Sequence, residues 1–291
     1  MSPIDRRDFV KVSGAALAGL TLTGKAAAAG TSSRAGGWKK AFMLGQTKGP
    51  ILPTFEMLKA AGFDGVELIS PNELDRDEVL KARDQTGLVI HGVSGSRHWQ
   101  DPLSSPDPEV VKRGLAAIRQ SIEDVKAYGG TTVLLVPAVV TKDVSYRQAY
   151  DRSQAQIRTL LPDAEKHGIK IAIEEVWNKF LLSPVEFAKY IDEFQSDWVG
   201  AYFDVGNVVE FGYPQEWIRE LGKRILKVHV KEYAKPQRFN YLLGEGKEID
   251  WPAVRRAFED VGYKGWISAE VPMKDLKDVV HRMDGIFGAT S

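Results

Sequence analysis

The sequence predicts a single α/β domain, a (β/α)8 TIM barrel. Three observations carry this. One unit recurs along the chain: an amphipathic helix, a glycine, then a short apolar strand. It recurs often enough to give eight strands from about residue 38 onward, and the resulting length of about 255 residues suits one closed barrel. No G-x-G-x-x-G or Walker A loop follows the first strand, which weakens an open, nucleotide-binding sheet. Strands alternating with helices make a parallel sheet covered on its outer face.

The elements follow in order. Lys40–Leu44 opens the series as strand 1. Gly62 leads into Gly65–Ile69, Gly87 into Leu88–His91, and Gly129-Gly130 into Thr132–Val136. Gly168 precedes Ile169–Glu174, and Val199–Asp204 is the sixth strand. Gly222 leads into Ile225–Val230 and Gly262 into Trp266–Glu270. Glycine suits a helix C-terminus because it enters the left-handed region without a Cβ clash. Over 107–128, Val111, Leu115, Ile118, Ile122 and Val125 step at helical spacing behind Asp107-Pro108, an N-terminal signal. Ser183-Pro184-Val185-Glu186 reads as a capping box with proline in the first turn.

Residues 1–30 read as an address, leaving 31–291 as the barrel. Arg6-Arg7 precede Phe9 and Lys11, a modest apolar stretch follows, and Ala26–Ala29 supplies a cleavage run. The paired arginines resemble a twin-arginine (Tat) signal, read by a receptor and not serving as an anchor. This implies a periplasmic or otherwise exported protein. The segment is too short and too rich in Gly and Thr to span a bilayer, so no stable membrane anchor is expected.

The whole chain has 39 basic and 39 acidic residues. Residues 1–30 hold four of the bases and two of the acids, leaving 35 and 37 and a net charge of −2. That gives no basic footprint for nucleic acid. There is no cysteine, so disulfides, thiolate zinc sites, iron–sulfur clusters and a cysteine nucleophile are excluded.

In this architecture the active site lies at the C-terminal mouth of the strands. Strand 3 ends at His91, strand 5 at Glu174-Glu175, strand 6 at Asp204, strand 7 at His229 and strand 8 at Glu270; strand 2 contains Glu67. Carboxylates in apolar strands are costly unless paired or metal-bound. Oxygen ligands with one imidazole suit Mn²⁺, Mg²⁺ or Co²⁺ better than zinc.

These segments, Ile173–Asn178, Tyr202–Asn207, Val228–Glu232 and Ile267–Glu270, resemble the xylose isomerase-like barrel family, whose members include sugar and sugar-phosphate isomerases and epimerases. Gly244-Glu245-Gly246 with Ile249-Asp250-Trp251 is similar to its loop before the last helix. The resemblance covers nearly the whole chain after residue 30. It implies a divalent metal, most simply Mn²⁺, held by Glu175, Asp204, His229 and Glu270, with Glu174 as the alternative to Glu175. It also implies a metal-dependent sugar isomerase or epimerase, in which Glu175 and Glu270 relay a proton through an enediolate. A keto-sugar or glycoside lyase or dehydratase on the same site, and a non-catalytic sugar-binding protein, are the rivals. The partner is a small-molecule sugar, with homo-oligomer formation left open.

His91, Asn207, Lys231 and Trp177 are expected to line the substrate pocket. Glu67 is divided between an ion pair and a substrate contact, and Glu232 stands where the family usually has aspartate. Arg238, His98, His167 and His281 read as surface residues. Leu181, Asn207 and Lys235 depart from the residues of ketose 3-epimerases at matching positions. The metal shell therefore matches while the substrate shell does not, and phosphorylation of the sugar stays open.

Overall fold

The computed structural model describes residues 37–47 and 49–288, so the address segment lies outside the described residues. Eight parallel strands close into one barrel in sequence order: β1 (Lys39–Met43), β2 (Gly65–Ser70), β3 (Val89–Gly95), β4 (Thr132–Leu135), β5 (Lys170–Glu174), β6 (Val199–Asp204), β7 (Ile225–Val230) and β8 (Trp266–Ala269). Closure comes from β1 pairing with β8, with Ala41 opposite Ser268. The helices are α1 (Leu52–Ala61), α2 (Arg76–Thr86), α3 (Pro108–Tyr128), α4 (Tyr146–Arg158), α5 (Leu161–His167), α6 (Pro184–Asp192), α7 (Pro214–Leu221), α8 (Trp251–Asp260) and α9 (Leu276–Phe287). Among the described residues no helix is long and apolar enough to cross a membrane.

Local chemistry sets the boundaries. Asp107 caps α3, its carboxylate accepting from Glu109 N. Ser183 caps α6 by accepting from Glu186 N. The Glu186 side chain turns to Tyr146 Oη and Leu182 N, so only half of the expected capping box forms. The reciprocal box is at Ser145 and Gln148 instead, opening α4. Gly62 and Gly129, closing α1 and α3, have φ of 105° and 84°, where a side chain would be strained.

Two shells of side chains hold the barrel. The outer faces of the strands pack on the helices through residues such as Val66, Phe42, Ile171, Ile173, Phe203 and Val228, all essentially buried. Phe42 meets Phe63 edge-on at 5.5 Å. The inner face is smaller and much more polar. Leu134, Val136, Ala172 and Tyr202 form a separate apolar cluster inside the barrel. Trp266 fills the lower interior so tightly that a Cβ on Gly65 would lie 2.6 Å from its ring.

Two irregularities shape what lies above. Val66 pairs with Ile90 but Glu67 with Gly92, so His91 is the extra residue of a bulge. Ala201 pairs with Ile225 but Tyr202 with Lys227, making Leu226 the extra residue on β7. The third strand runs on to Gly95, four residues past the end expected from sequence. That extension puts His91 inside the barrel and Ser94 at its mouth.

Candidate metal centre and active site

Strand parity decides which side chains meet. On β5, Ile171 and Ile173 face the helices, while Ala172 and Glu174 face the axis. On β6 the inward row is Tyr202 and Asp204, on β7 Lys227 and His229, and on β8 Trp266 and Ser268 with Glu270 just beyond. One ligand atom each from Glu174, Asp204, His229 and Glu270 lies within 4.8 Å of the others. His229 Nδ1 is 3.1 Å from Glu174 Oε1, 3.4 Å from Glu270 Oε2 and 3.9 Å from Asp204 Oδ2.

Glu175, expected among the ligands, lies outside this cluster. Glu175 follows the outward row of Ile171 and Ile173, and its side chain leaves the cluster. Its Oε1 accepts from Asp204 N at 2.9 Å, and its buried Oε2 has no hydrogen-bond partner. Burial, with Glu174 and Asp204 nearby, drives its pKa well above the usual carboxylate range. Glu175 braces Asp204 from outside the cluster, and Glu174 stands in the cluster in its place.

The donor set fits a hard divalent cation. Three carboxylates and one imidazole nitrogen converge at separations that an ion about 2.0–2.6 Å from each can bridge. Asp204 Oδ1 accepts from Gly206 N at 2.8 Å and Asn207 N at 2.9 Å, which holds the carboxylate rigid. Its buried Oδ2 is left without a hydrogen bond and faces the cluster. Lys231 Nζ stands 2.8 Å from Glu270 Oε2 and 3.1 Å from Asp204 Oδ2.

The electrostatics are those of crowded acids kept from water. Burial pushes the Asp204 carboxyl up to about 6, against the pull of Lys231 and with the help of Glu270. Glu174 is raised by burial although His229 favours its charge. Burial opposes a charge on His229, but Glu67 and Glu174 outweigh it, so its pKa is well above the usual value. Burial also resists the Lys231 charge, yet Asp204 and Glu270 raise its pKa further.

Beneath the cluster lies a polar layer. Glu67 Oε2 accepts from Tyr202 Oη and lies 3.3 Å from His229 Nε2. Bonds from β2 to β6 and β7 cross the barrel, so Glu67 belongs to the interior and not to the substrate pocket. His91, expected at the pocket, is corrected likewise. It stacks on Trp266 at 4.8 Å, reaches Ser268 Oγ at 3.0 Å and is 2% exposed.

Above the cluster a cleft of about 420 Å³ opens, floored by Glu174, His229 and Glu270. Lys231, Asn207 and Trp177 line it. The Asn207 amide, however, donates to the Glu175 carbonyl at 2.9 Å, and Trp177 Nε1 donates to the Asn207 carbonyl at 3.0 Å. Both brace the β5 and β6 ends. Trp177 also packs on Phe239 at 5.0 Å and carries the Arg238 guanidinium over its ring at 5.3 Å. Arg238 is therefore not merely a solvated loop residue.

Sequence reasoning missed several lining residues. His98, Trp99, Phe239 and Gln46 sit on long loops with no periodicity to mark them. His98, expected at the surface, is largely buried, and burial lowers its pKa to about 4. Leu181 is buried and Lys235 is exposed near Glu210, so neither enters the cleft. Glu232 anchors the 244–246 loop by accepting from Gly244 N at 2.7 Å and Trp251 Nε1 at 2.9 Å.

Comparison with known proteins places this geometry in context. The sequence pattern described as xylose isomerase-like TIM barrel matches residues 55–286. An L-ribulose-5-phosphate 3-epimerase of Salmonella paratyphi A is 27% identical over 232 residues, covering 74% of this chain and 79% of that protein. An uncharacterized protein of Methanocaldococcus jannaschii is 24% identical over 230 residues, covering 75% and 74%. Among solved structures, a D-psicose 3-epimerase in the presence of D-fructose superposes with a TM-score of 0.74 at 18% identity, over 86% of this chain and all of that one. The apo form of a 3-keto-D-glucoside 4-epimerase from E. coli gives 0.71 at 19% identity, over 86% and 98%. The superpositions speak for the barrel itself.

Proposed function

Because the chain belongs to the xylose isomerase-like TIM barrel family, we propose that it is a divalent-metal-dependent sugar isomerase or epimerase acting on a ketose or keto-sugar. The observation that carries this is the convergence of Glu174, Asp204, His229 and Glu270 at the floor of a cleft of monosaccharide size or larger. Related proteins described as sugar 3-epimerases support the reaction class. Manganese is the proposed ion, with Mg²⁺ and Co²⁺ as close substitutes.

Held by these four residues, the cation would polarise the ketone and stabilise enediolate charge. The chain supplies the proton transfers. Glu174 on β5 and Glu270 beyond β8 approach the cleft from separate strands, so one carboxylate removes the proton next to the carbonyl and the other returns one from the opposite face. Lys231 steadies the Glu270 carboxylate. Trp177 and Phe239 give the sugar an apolar wall and keep bulk water from the reacting carbon.

The sugar is proposed to be unphosphorylated. Lys231 is the only lysine or arginine lining the cleft among the described residues, and two carboxylates already hold it. The twin-arginine reading of residues 1–30 agrees, since it would send the protein away from the phosphosugar pool. Export is part of this proposal, checked by fractionation and N-terminal sequencing of the mature protein.

The test is solvent exchange. With Mn²⁺, unphosphorylated ketoses in D₂O should gain deuterium at the carbon next to the carbonyl, and chelation should stop it. Metal-loaded protein giving no exchange across a broad panel would remove the proposal. A product lighter by water or an aglycone would move it to the lyase reading.

A further inference from the structure

The cleft over the metal ligands does not end at its own wall. A second groove of about 370 Å³ adjoins it, and the two share Gln46 and Ser96. Each alone is within the ~300–1,000 Å³ range of small-molecule sites. The second groove lies among the loops after β1, β2 and β3 and contains none of the four metal-directed residues. Whatever occupies it is bound, not transformed.

Its walls are preformed. Ser96 N donates to the Ser70 carbonyl at 2.8 Å, and Ser96 Oγ to the Pro71 carbonyl at 2.8 Å. Asn72 Nδ2 donates to the Ile69 carbonyl at 2.6 Å, while its Oδ1 accepts from Leu74 N at 2.9 Å. Arg97 is held by Asp101, Nη2 donating to Oδ2 at 2.6 Å and Nε to the same oxygen at 2.9 Å. These bonds tie the loop after β2 to the loop after β3, so little ordering cost attends binding.

Its chemistry is that of a neutral polyol site. Two amides, Gln46 and Gln100, make no side-chain hydrogen bond to the described residues and face solvent. Among the described residues of its lining, Glu73 and Arg97 balance in charge. Trp99, next to Gln100 and lining the first cleft, is 51% exposed, with its ring edge-on to His98 at 5.6 Å. An exposed indole beside amides offers a flat apolar face to a sugar ring's C–H groups and donors and acceptors to its hydroxyls.

We propose that the substrate carries a second sugar unit, joined through a glycosidic bond to the keto-sugar, and that this unit occupies the groove lined by Gln46, Asn72, Glu73, Arg97 and Gln100. This rests on the sugar isomerase or epimerase reading of the first cleft. The keto unit meets the carboxylates, the glycosidic link passes Gln46 and Ser96, and the second ring lies on the loops of β2 and β3.

Titration calorimetry on the Mn²⁺-loaded protein tests this, using D-fructose against the ketose disaccharides lactulose, maltulose and palatinose. At least one disaccharide should bind about 10-fold more tightly than D-fructose. The double variant Glu73→Ala/Gln100→Ala, altering exposed residues that line only the second groove, should erase most of that gain, since two hydrogen bonds are together worth roughly a factor of ten. D-fructose binding in the same variant should change by less than about twofold. Disaccharides that bind no better than D-fructose, a preference that survives the double variant, or no binding of any of these sugars would overturn the inference. Deuterium exchange is read in parallel. Exchange without a length preference leaves the reaction standing and removes the second ring; a length preference without exchange does the reverse.

Discussion

Glu67 and Glu174 hold opposite edges of the His229 imidazole. Glu67 Oε2 is 3.3 Å from Nε2 and Glu174 Oε1 is 3.1 Å from Nδ1. With Nε2–H donating downward to Glu67, Nδ1 would be the nitrogen presented to a cation held by the cluster. A carboxylate behind a metal-binding histidine sets its tautomer and increases its basicity. Without the cation, Glu67 and Glu174 raise the pKa of His229 against its burial, which favours the charged ring among the surrounding acids.

Glu67→Gln is therefore expected to weaken metal binding by about 10-fold, and Glu67→Leu by up to ~100-fold, the range for residues behind metal ligands. Metal titration followed by calorimetry reads this directly, and circular dichroism establishes that the variants fold. Unchanged metal affinity in folded Glu67→Leu would show that His229 is oriented without Glu67.

Neighbouring glutamates should behave oppositely. Glu174→Gln removes a converging charged oxygen and is expected to reduce metal affinity by more than ~100-fold, beyond the usual effect of residues behind the ligands. Glu175→Gln replaces a buried carboxyl, whose charged form burial disfavours, by a near-isosteric amide, so metal content should persist and stability should change by about 1 kcal/mol or less. Metal analysis of the two purified variants decides it. Loss of metal from Glu175→Gln alone would return the ligand role to Glu175.

Acid should weaken the fold through His98. Its folded pKa of about 4 lies below the ordinary 6.5 because burial disfavours the charged ring. The unfolded chain thus takes up the proton first. The stability from keeping His98 neutral is fully present above about pH 6.5 and is lost as pH falls towards 4. His98→Gln should flatten this, recovering roughly 1–3 kcal/mol of the acid loss at pH 4. Urea melts of metal-free wild type and variant between pH 7 and 4 measure it, and parallel pH profiles would exclude His98 as the cause.

Much of the fold was legible because the barrel repeats itself. The glycine after most of the helices and the apolar run beyond it are local signals, and β5 to β8 fall within a residue or two of their expected bounds. The floor of the site was legible for the same reason, since Asp204, His229 and Glu270 end strands. Glu174 against Glu175 was decidable from parity: Ile169, Ile171 and Ile173 form the helix-facing row, and Glu175 continues it. Resemblance to flanking motifs outweighed that period-two signal. The inward turn of His91 depended on a bulge and on four more residues of pairing, neither marked by composition. His98, Trp99 and Phe239 come together only through loop packing, which no spacing rule encodes.

The crowded carboxylates make the metal's contribution to stability depend on pH. Asp204 has a folded pKa of about 6 against an ordinary 3.8, so the metal-free fold prefers it protonated. Stability from that preference is fully present below 3.8 and disappears as pH rises through 6. A bound divalent cation reverses the sign by favouring the ionised carboxylate and displacing protons from the ligands. The rise in melting temperature caused by saturating Mn²⁺ should thus be larger at pH 7 than at pH 5, and binding at pH 6 should release protons, seen as a buffer-dependent heat in calorimetry. Asp204→Asn, which holds the position neutral at every pH, should lose most of the metal-induced rise and its pH dependence together. An equal rise at both pH values in the wild type would show that Asp204 is ionised throughout and that its burial is offset by Lys231 alone.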